Sequence, residues 1–235
     1  MSHQHTHHHH EEHFQQSAVI KDIVIGMADG LTVPFALAAG LSGVVDSNAI
    51  IITAGIAEIC AGSIAMGLGG YLAGRTEIEH YNAELKREYE ETVTRYETEK
   101  EEVREVFAHY GLSPQLQTMI ADEMAKDTDK WVEFMMRYEL GLEKPDEKRA
   151  TKSAFNIGVS YIVGGIIPLS GYFIAHNPTQ GLMYSLVITI VCLLTFGYFK
   201  SKLTGQSPIA GALKTTLIGV MAAAAAFFIA KVVEH

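Results

Sequence analysis

Residues 22–43 read DIVIGMADGLTVPFALAAGLSG, an apolar stretch long enough to cross a lipid bilayer as a helix, yet it contains two aspartates. A charged carboxylate in the hydrocarbon region costs about 3 kcal/mol even on lenient insertion scales. Asp22 and Asp29 are seven residues apart, so they lie on nearly the same helical face, roughly 10 Å apart along the axis. The stretch therefore predicts a membrane-spanning helix with a functional polar face.

Four further apolar segments are long enough to span a membrane. Together with the first, they run over residues 18–45, 49–73, 154–175, 182–199 and 209–233. A long charged insert separates the second segment from the third, and the other connections are short. The sequence predicts an all-α multi-pass membrane protein with five transmembrane helices and a three-helix cytoplasmic insert between spans 2 and 3.

This pattern divides the chain into four parts. They are a His-rich cytoplasmic tail (1–16), transmembrane helices 1 and 2 (17–73), a cytoplasmic helical metal-binding domain (74–153) and transmembrane helices 3 to 5 (154–235). Basic residues flank the insert and occupy the loop after the fourth span, whereas the loops after the first and third spans contain none. Because cytoplasmic loops carry the basic excess, the N-terminus and the insert are predicted to face the cytoplasm.

The charge of the chain is concentrated in the insert. Of the 27 acidic residues, 20 lie between Glu77 and Glu147. An acidic surface argues against nucleic acid as a partner, because phosphate binding needs basic side chains, and it suits cations. The histidines are concentrated elsewhere: 7 of the 11 lie in residues 1–13, a composition that can bind metal weakly.

The insert is predicted to be helical throughout. The range Glu77–Tyr110 contains neither Gly nor Pro, which predicts a first helix that continues from the second span. Ser113 is a candidate N-cap and Pro114 a candidate first residue of a second helix. That helix is expected to run to about Lys126, and a third helix to end near Gly141.

Small residues recur at a spacing of four on the first two spans. The pairs are Gly26 with Gly30, Ala36 with Gly40, and Gly70 with Gly74. In lipid, such spacing lets helix backbones approach closely. The clustering predicts that the first two spans form an interface.

A second carboxylate lies in the middle of the second span, at Glu58, and Met66 follows it by eight residues. An intramembrane carboxylate indicates a functional site by default, and a thioether adds a soft ligand suited to a transition metal. The alternatives are that Asp29 and Glu58 make structural hydrogen bonds to neighbouring helices, and that Asp22 is a solvated helix end.

The insert carries a second set of candidate ligands. Its carboxylates are spaced three apart in two pairs, which places two oxygen donors on one helical face, and two methionines precede a further glutamate. These residues are Glu88, Glu91, Glu99, Glu102, Met135, Met136 and Glu139. Carboxylates with thioethers suit Fe²⁺ or similar divalent ions, whereas a merely solvated, glutamate-rich surface is the alternative.

Enzymatic signatures are absent from the sequence. There is no phosphate-binding GxxxxGK[ST] loop, no GxGxxG motif after a strand and no credible nucleophile constellation. Cys60 and Cys192 lie in apolar runs and look like small buried hydrophobes. We therefore expect neither an enzyme nor an organic cofactor.

Four stretches resemble the vacuolar iron transporter family. They are DIVIGMADGLTVPFALAAGLSG (22–43), AGIAEICAGSIAMGLGGYLAGRTE (54–77), ELKREYEE (84–91) and FMMRYELGLEKPDEKRA (134–150). The resemblance implies five spans with a metal-binding insert, assembled as a homodimer whose pathway is lined by the first span of each subunit. It further implies export of Fe²⁺ from the cytosol in exchange for protons, with Co²⁺, Zn²⁺ or Mn²⁺ as alternative substrates.

By the same resemblance, Asp29, Glu58 and Met66 fall on the membrane metal site, and Asp22 lines the pathway. The seven insert residues named above fall on the cytoplasmic metal site. The membrane is expected to be a vacuolar membrane or a prokaryotic plasma membrane. Two other functions remain open at this point: a membrane-tethered ferritin-like iron oxidase, and a metal sensor without transport.

Overall fold

A computed structural model describes the backbone of residues 9–234 and the side chains of residues 18–233. The chain forms eight α-helices and one π-helical turn over this range. They are α1 (His9–Ser42), α2 (Asn48–Thr94), α3 (Tyr96–His109), α4 (Pro114–Met124), α5 (Thr128–Phe134), the π turn (Met135–Glu139), α6 (Arg149–Ile174), α7 (Pro178–Leu203) and α8 (Pro208–Glu234). All side chains of the His-rich tail, and the metal binding considered for it, lie outside the described side chains.

The predicted all-α membrane architecture is confirmed. Five helices are long and apolar enough to cross a bilayer, namely α1, α2, α6, α7 and α8. No strand is present between residues 9 and 234. In the hydrocarbon region, helices satisfy every backbone hydrogen bond internally, which is why apolar sequences of this length adopt them.

The chain divides into two compact units. In the described part of the chain, the membrane unit comprises the residues up to Tyr71 and those from Thr151 onwards, and the insert unit comprises Leu72–Ala150. Helix α2 belongs to both, since it continues without interruption from Asn48 to Thr94.

Helix α6 lies between α1 and α2 in the membrane unit. A Cβ atom added at Gly30 of α1 would lie 2.3 Å from the Tyr161 carbonyl oxygen of α6, and one added at Gly55 of α2 would lie 2.4 Å from Leu169. On α6 itself, a Cβ added at Gly164 would meet the α1 backbone at 3.0 Å, and one at Gly165 would meet Ile59 of α2 at 2.6 Å. Glycine is thus required on all three helices for their close packing.

These contacts show which helices of the chain the small-residue pairs meet. Gly26 and Gly30 contact α6, Gly40 contacts α8 at Ala226, and Gly70 contacts α6 at Ser153. Within the chain these glycines therefore pack mostly on α6, and the predicted interface of the first two spans stays a prediction. The spacing of small residues predicts that two helices approach closely, but it does not identify the second helix.

The first helix of the insert is not continuous, contrary to the prediction. The helical range predicted from Glu77 to Tyr110 is broken at Arg95, whose φ of −129° and ψ of 35° are not helical. The preceding run Thr92–Thr94 contains three β-branched residues, which have low helix propensity, and two of its hydroxyls donate to backbone carbonyls one turn back. The break separates α2 from α3 and redirects the chain.

The remaining insert helices follow the sequence more closely. Helix α4 begins at Pro114 after Ser113, and the chain leaves the helical conformation at Gly141, where φ is +65°. Trp131 is buried with Val103, Ala121 and Met135 in the core of the insert unit. The sequence contains one tryptophan, so its fluorescence reports on this core.

Candidate functional site

Asp22 is held inside the membrane unit by a hydrogen bond. Asp22 is 2% exposed, and the Ser153 hydroxyl of α6 donates to its Oδ1 atom at 3.0 Å. A buried carboxylate needs such donors, because transfer out of water without them is costly. Asp22 is therefore not a solvated helix end.

Glu58 of α2 is reached by a tyrosine on α6. The Tyr161 hydroxyl donates to Glu58 Oε1, whereas Glu58 Oε2 is buried without a hydrogen-bond partner among the described residues. Gly62 permits this arrangement, because a Cβ atom there would lie 2.5 Å from the Tyr161 hydroxyl oxygen. The unpartnered oxygen is a free acceptor that a cation or a proton can occupy.

Asp29 of α1 reaches the same residue of α6 through its neighbour in the chain. It precedes Gly30, where an added Cβ atom would lie 2.3 Å from the Tyr161 carbonyl oxygen. Asp29 and Glu58 therefore lie on two helices that both contact α6 at Tyr161. Met66 is partly buried and lies about 12 Å further along α2 than Glu58, from the helical rise.

Tyr161 was not singled out by the sequence. A tyrosine in the apolar third span fits a membrane helix without special explanation, and only its contact with Glu58 distinguishes it. The available signal is the run Gly158 to Gly165, which places Ser160 and Tyr161 among small residues.

The insert unit contains a cluster of carboxylates that come from three elements. We call it the acidic cluster, and it comprises Glu88 and Glu91 of α2, Glu99 and Glu102 of α3, and Glu139 of the π turn. Glu88 and Glu99 are each 2% exposed, and the Oε2 atom of each lacks a hydrogen-bond partner within the described residues. Buried, unpartnered carboxylate oxygens are costly, so they mark a place where a ligand would be favourable.

Burial and mutual repulsion perturb the titration of this cluster. Burial, followed by the charges of Glu102 and Glu88, raises the pKa of Glu99 to about 7. Glu139 is exposed at its edge, but the surrounding protein and the same two neighbours raise the pKa of its carboxyl group to about 7. Burial also raises the pKa of Glu102, with Glu91 as the next cause. The cluster therefore holds protons near neutral pH.

The break at Arg95 creates the acidic cluster. On one uninterrupted helix, Glu88 and Glu99 would be about 16 Å apart along the axis. In the structure, α2 and α3 both contact α5: the Tyr89 hydroxyl of α2 donates to Asp129 of α5 at 2.9 Å, and Val103 of α3 packs with Trp131 of α5. The redirection of the chain after Thr94 brings them together.

The two methionines lie on the buried side of the π turn. Met135 is packed in the core with Trp131 and Val103, and Met136 is also fully buried. A π turn adds a residue to the helical turn, and here the Leu140 amide donates to the Met135 carbonyl oxygen across five residues. The turn thereby buries both methionines and leaves Glu139 among the acidic cluster.

The predicted ligands are near one another but do not form a coordination sphere as they stand. Across the described part of the chain, no three His, Cys, Asp or Glu side chains converge closely enough to hold one metal ion. Cations of the protein already contact several of the carboxylates. The Arg95 Nη1 atom lies 3.2 Å from Glu91 Oε1, and the Arg87 Nη2 atom lies 3.9 Å from Glu88 Oε1.

The fold and these carboxylates define a multi-pass helical membrane protein with a polar site inside its apolar helices and an acidic extramembrane unit. Comparison with known proteins makes this class specific. The model of the VIT family matches residues 20–231, and the chain belongs to this family.

Curated relatives match over nearly the whole chain. It is 51% identical to vacuolar iron transporter 1 of Arabidopsis thaliana over 96% of this chain and 90% of the relative. It is 47% identical to vacuolar iron transporter 1 of Tulipa gesneriana, over 95% of this chain and 91% of the relative. Protein CCC1 of Saccharomyces cerevisiae is 38% identical, over 91% of this chain and 68% of that protein. The transporter names agree with the prediction that the chain is not an enzyme.

Proposed function

We propose that this protein transports Fe²⁺ out of the cytosol across a membrane in exchange for protons. The observation that carries the proposal is the intramembrane carboxylate of Glu58, which accepts from Tyr161 on one oxygen and is buried and unpartnered on the other. Intramembrane carboxylates mark ion and proton pathways. The names of the relatives supply the identity of the metal.

Metal and proton compete for the same carboxylates in this scheme. Asp29 and Glu58, with Met66 as a soft donor, bind the partly dehydrated ion. A divalent ion needs deprotonated carboxylates, so its binding releases protons, and protonation from an acidic far side expels it. The Tyr161 hydroxyl orients Glu58 by holding Oε1, which leaves Oε2 for the ion or the proton.

The acidic cluster captures the metal before transport. Glu88, Glu91, Glu99, Glu102 and Glu139 supply oxygen ligands, and Met135 and Met136 supply thioethers. The support is the burial of Glu88 and Glu99 with an unpartnered oxygen on each. Because both carboxylates are already desolvated, an arriving cation meets concentrated negative charge at low cost.

The assembly and orientation complete the proposal. The protein forms a homodimer whose pathway is lined by the first span of each subunit, with the N-terminus and the insert on the cytoplasmic side. The placement of Lys and Arg in the loops supports this orientation. A vacuolar membrane is favoured by the names of the relatives. Co²⁺, Zn²⁺ and Mn²⁺ are further candidate substrates.

Uptake of Fe²⁺ into proteoliposomes tests the pathway. Asp29→Asn and Glu58→Gln keep the size of each side chain but remove its charge, and both variants are expected to lose proton-driven uptake. Asp46→Asn is the matched control, since Asp46 is exposed in the connection between α1 and α2. Retained coupling in the Asp29 variant would refute the assignment.

A ferritin-like oxidase is the second candidate, and the structure gives a reason to disfavour it. Such sites use Glu-x-x-His, and Glu77 and His80 have this spacing. However, the His80 side chain is 59% exposed and its Nδ1 atom lies 3.9 Å from Glu84 on the same helix. Fe²⁺ oxidation by the purified chain would revive the oxidase, and measured flux would exclude a passive sensor.

A further inference from the structure

We propose that Arg87 is a built-in competing cation that lowers the affinity of the acidic cluster for metal and is displaced when metal binds. This inference rests on the proposed capture of metal by the acidic cluster. It adds a residue that is not a ligand and that sets how readily the captured ion is released.

The guanidinium of Arg87 lies among the carboxylates. Its Nη2 atom is 2.6 Å from Glu84 Oε2 and 3.9 Å from Glu88 Oε1, and its Nε atom is 3.6 Å from Glu91 Oε2. It also acts on Glu139 from α2, since its charge opposes the repulsion that the other carboxylates exert there. A single side chain thus lies within 4 Å of three carboxylates of α2, two of which belong to the acidic cluster.

Arg87 is more exposed than the buried carboxylates of the acidic cluster, and this difference favours its displacement by a metal ion. Arg87 is half-exposed, with 50% of its side chain accessible, whereas Glu88 and Glu99 are buried. An exposed ion pair contributes little stability, so the arginine can move into solvent at low cost. A divalent ion has twice the charge of Arg87 and is small enough to reach the unpartnered Oε2 atoms. It therefore competes effectively with Arg87 for the carboxylates of the acidic cluster.

The cation next to Arg87 in the sequence faces elsewhere. Lys86 lies 3.7 Å from Glu90, outside the acidic cluster, and its side chain is 80% exposed. The two residues differ by one position on the same helix and have the same formal charge. Lys86 therefore provides a matched control for the loss of one positive charge near the cluster.

Removing the charge of Arg87 is expected to tighten metal binding about tenfold. This figure corresponds to the attraction between a charge of +1 and two carboxylate charges about 6 Å away at a water-like dielectric constant, which is lost when the metal displaces the arginine. The effect is electrostatic and should shrink at high salt, because the Debye length falls from about 10 Å at 0.1 M to about 3 Å at 1 M. A purely structural role for Arg87 would not produce this salt dependence.

Titration of the full-length, detergent-solubilised protein with Co²⁺ tests the inference. Binding is measured by calorimetry at pH 8, where the carboxylates are mostly ionised, with Trp131 fluorescence confirming a folded core. The His-rich tail can also bind Co²⁺, so binding by an E99Q/E102Q variant is subtracted. Arg87→Gln is compared with wild type, Lys86→Gln and the charge-conserving Arg87→Lys.

The inference predicts that Arg87→Gln binds Co²⁺ about tenfold more tightly at low salt, that Lys86→Gln changes affinity less than twofold, and that Arg87→Lys restores the wild-type value. Equal or weaker binding by a folded Arg87→Gln variant would overturn the inference alone. If wild type and the E99Q/E102Q variant bind Co²⁺ identically, the proposed capture by the cluster fails, and the role of Arg87 fails with it.

Discussion

Metal binding by the acidic cluster should depend steeply on pH between 6 and 8. Glu99 and Glu139 both have a pKa of about 7, raised by burial and by the carboxylates around them. A divalent ion requires both groups to be ionised, so it must displace whatever protons they hold. Acidification from pH 8 to pH 6 therefore weakens binding.

The magnitude follows from the two pKa values. A group with a pKa of 7 is about 90% ionised at pH 8 and about 10% ionised at pH 6, so each carboxyl group contributes about a tenfold loss of affinity. If both are ligands, the combined loss is about a hundredfold. At pH 7 each group is half-protonated, and binding releases about one proton in total.

Calorimetric titration with Mn²⁺ in buffers of different ionisation enthalpy measures both the affinity and the number of protons released. The contribution of the His-rich tail is removed by subtracting the E99Q/E102Q variant. Glu99→Gln should reduce the pH dependence to about tenfold, because one titrating group is lost. An affinity that changes less than threefold between pH 6 and pH 8 would refute the reasoning.

Two substitutions test the packing and the electrostatics directly. Gly62→Ala should slow metal-driven proton flux about tenfold, because the added Cβ atom would displace the Tyr161 hydroxyl from Glu58. Gly69→Ala on the same helix is the control and should leave the flux unchanged, because a Cβ atom added there has no other atom within 4 Å. Glu99→Gln should stabilise the metal-free protein by about 1–3 kcal/mol at pH 8 and scarcely at pH 4, since the cost of ionising Glu99 appears only as the pH rises from its ordinary pKa through 7. Denaturation monitored by Trp131 fluorescence measures this effect, and equal stabilisation at both pH values would contradict it.

The membrane helices follow from the sequence because their length and composition are local properties. Each of the five apolar segments satisfies the requirements of a bilayer on its own, and each forms a helix long and apolar enough to cross one. The choice of helix partner is not local. Gly30 and Gly70 belong to different helices, and both pack on α6, which only the three-dimensional arrangement reveals.

The acidic cluster also has one part that the sequence predicts and one part that depends on the three-dimensional arrangement. The spacing of Glu88, Glu91, Glu99 and Glu102 singles out the correct helical faces, yet an uninterrupted helix would hold the two pairs apart. The break at Arg95 brings them together, and its signal is the β-branched run before it rather than Gly or Pro. The π turn that buries Met135 and Met136 depends on a hydrogen-bond shift that residue types alone do not specify.

Simultaneous measurement of Fe²⁺ uptake and internal pH tests the coupling of metal movement to proton movement. Liposomes containing the purified protein, with an internal pH indicator, are exposed to external Fe²⁺ under anaerobic conditions while metal uptake and internal pH are followed together. With proton exchange, Fe²⁺ enters as the interior becomes more alkaline, and Asp29→Asn abolishes both signals. Fe²⁺ entry without a change in internal pH, or full coupling in the Asp29 variant, would contradict this prediction.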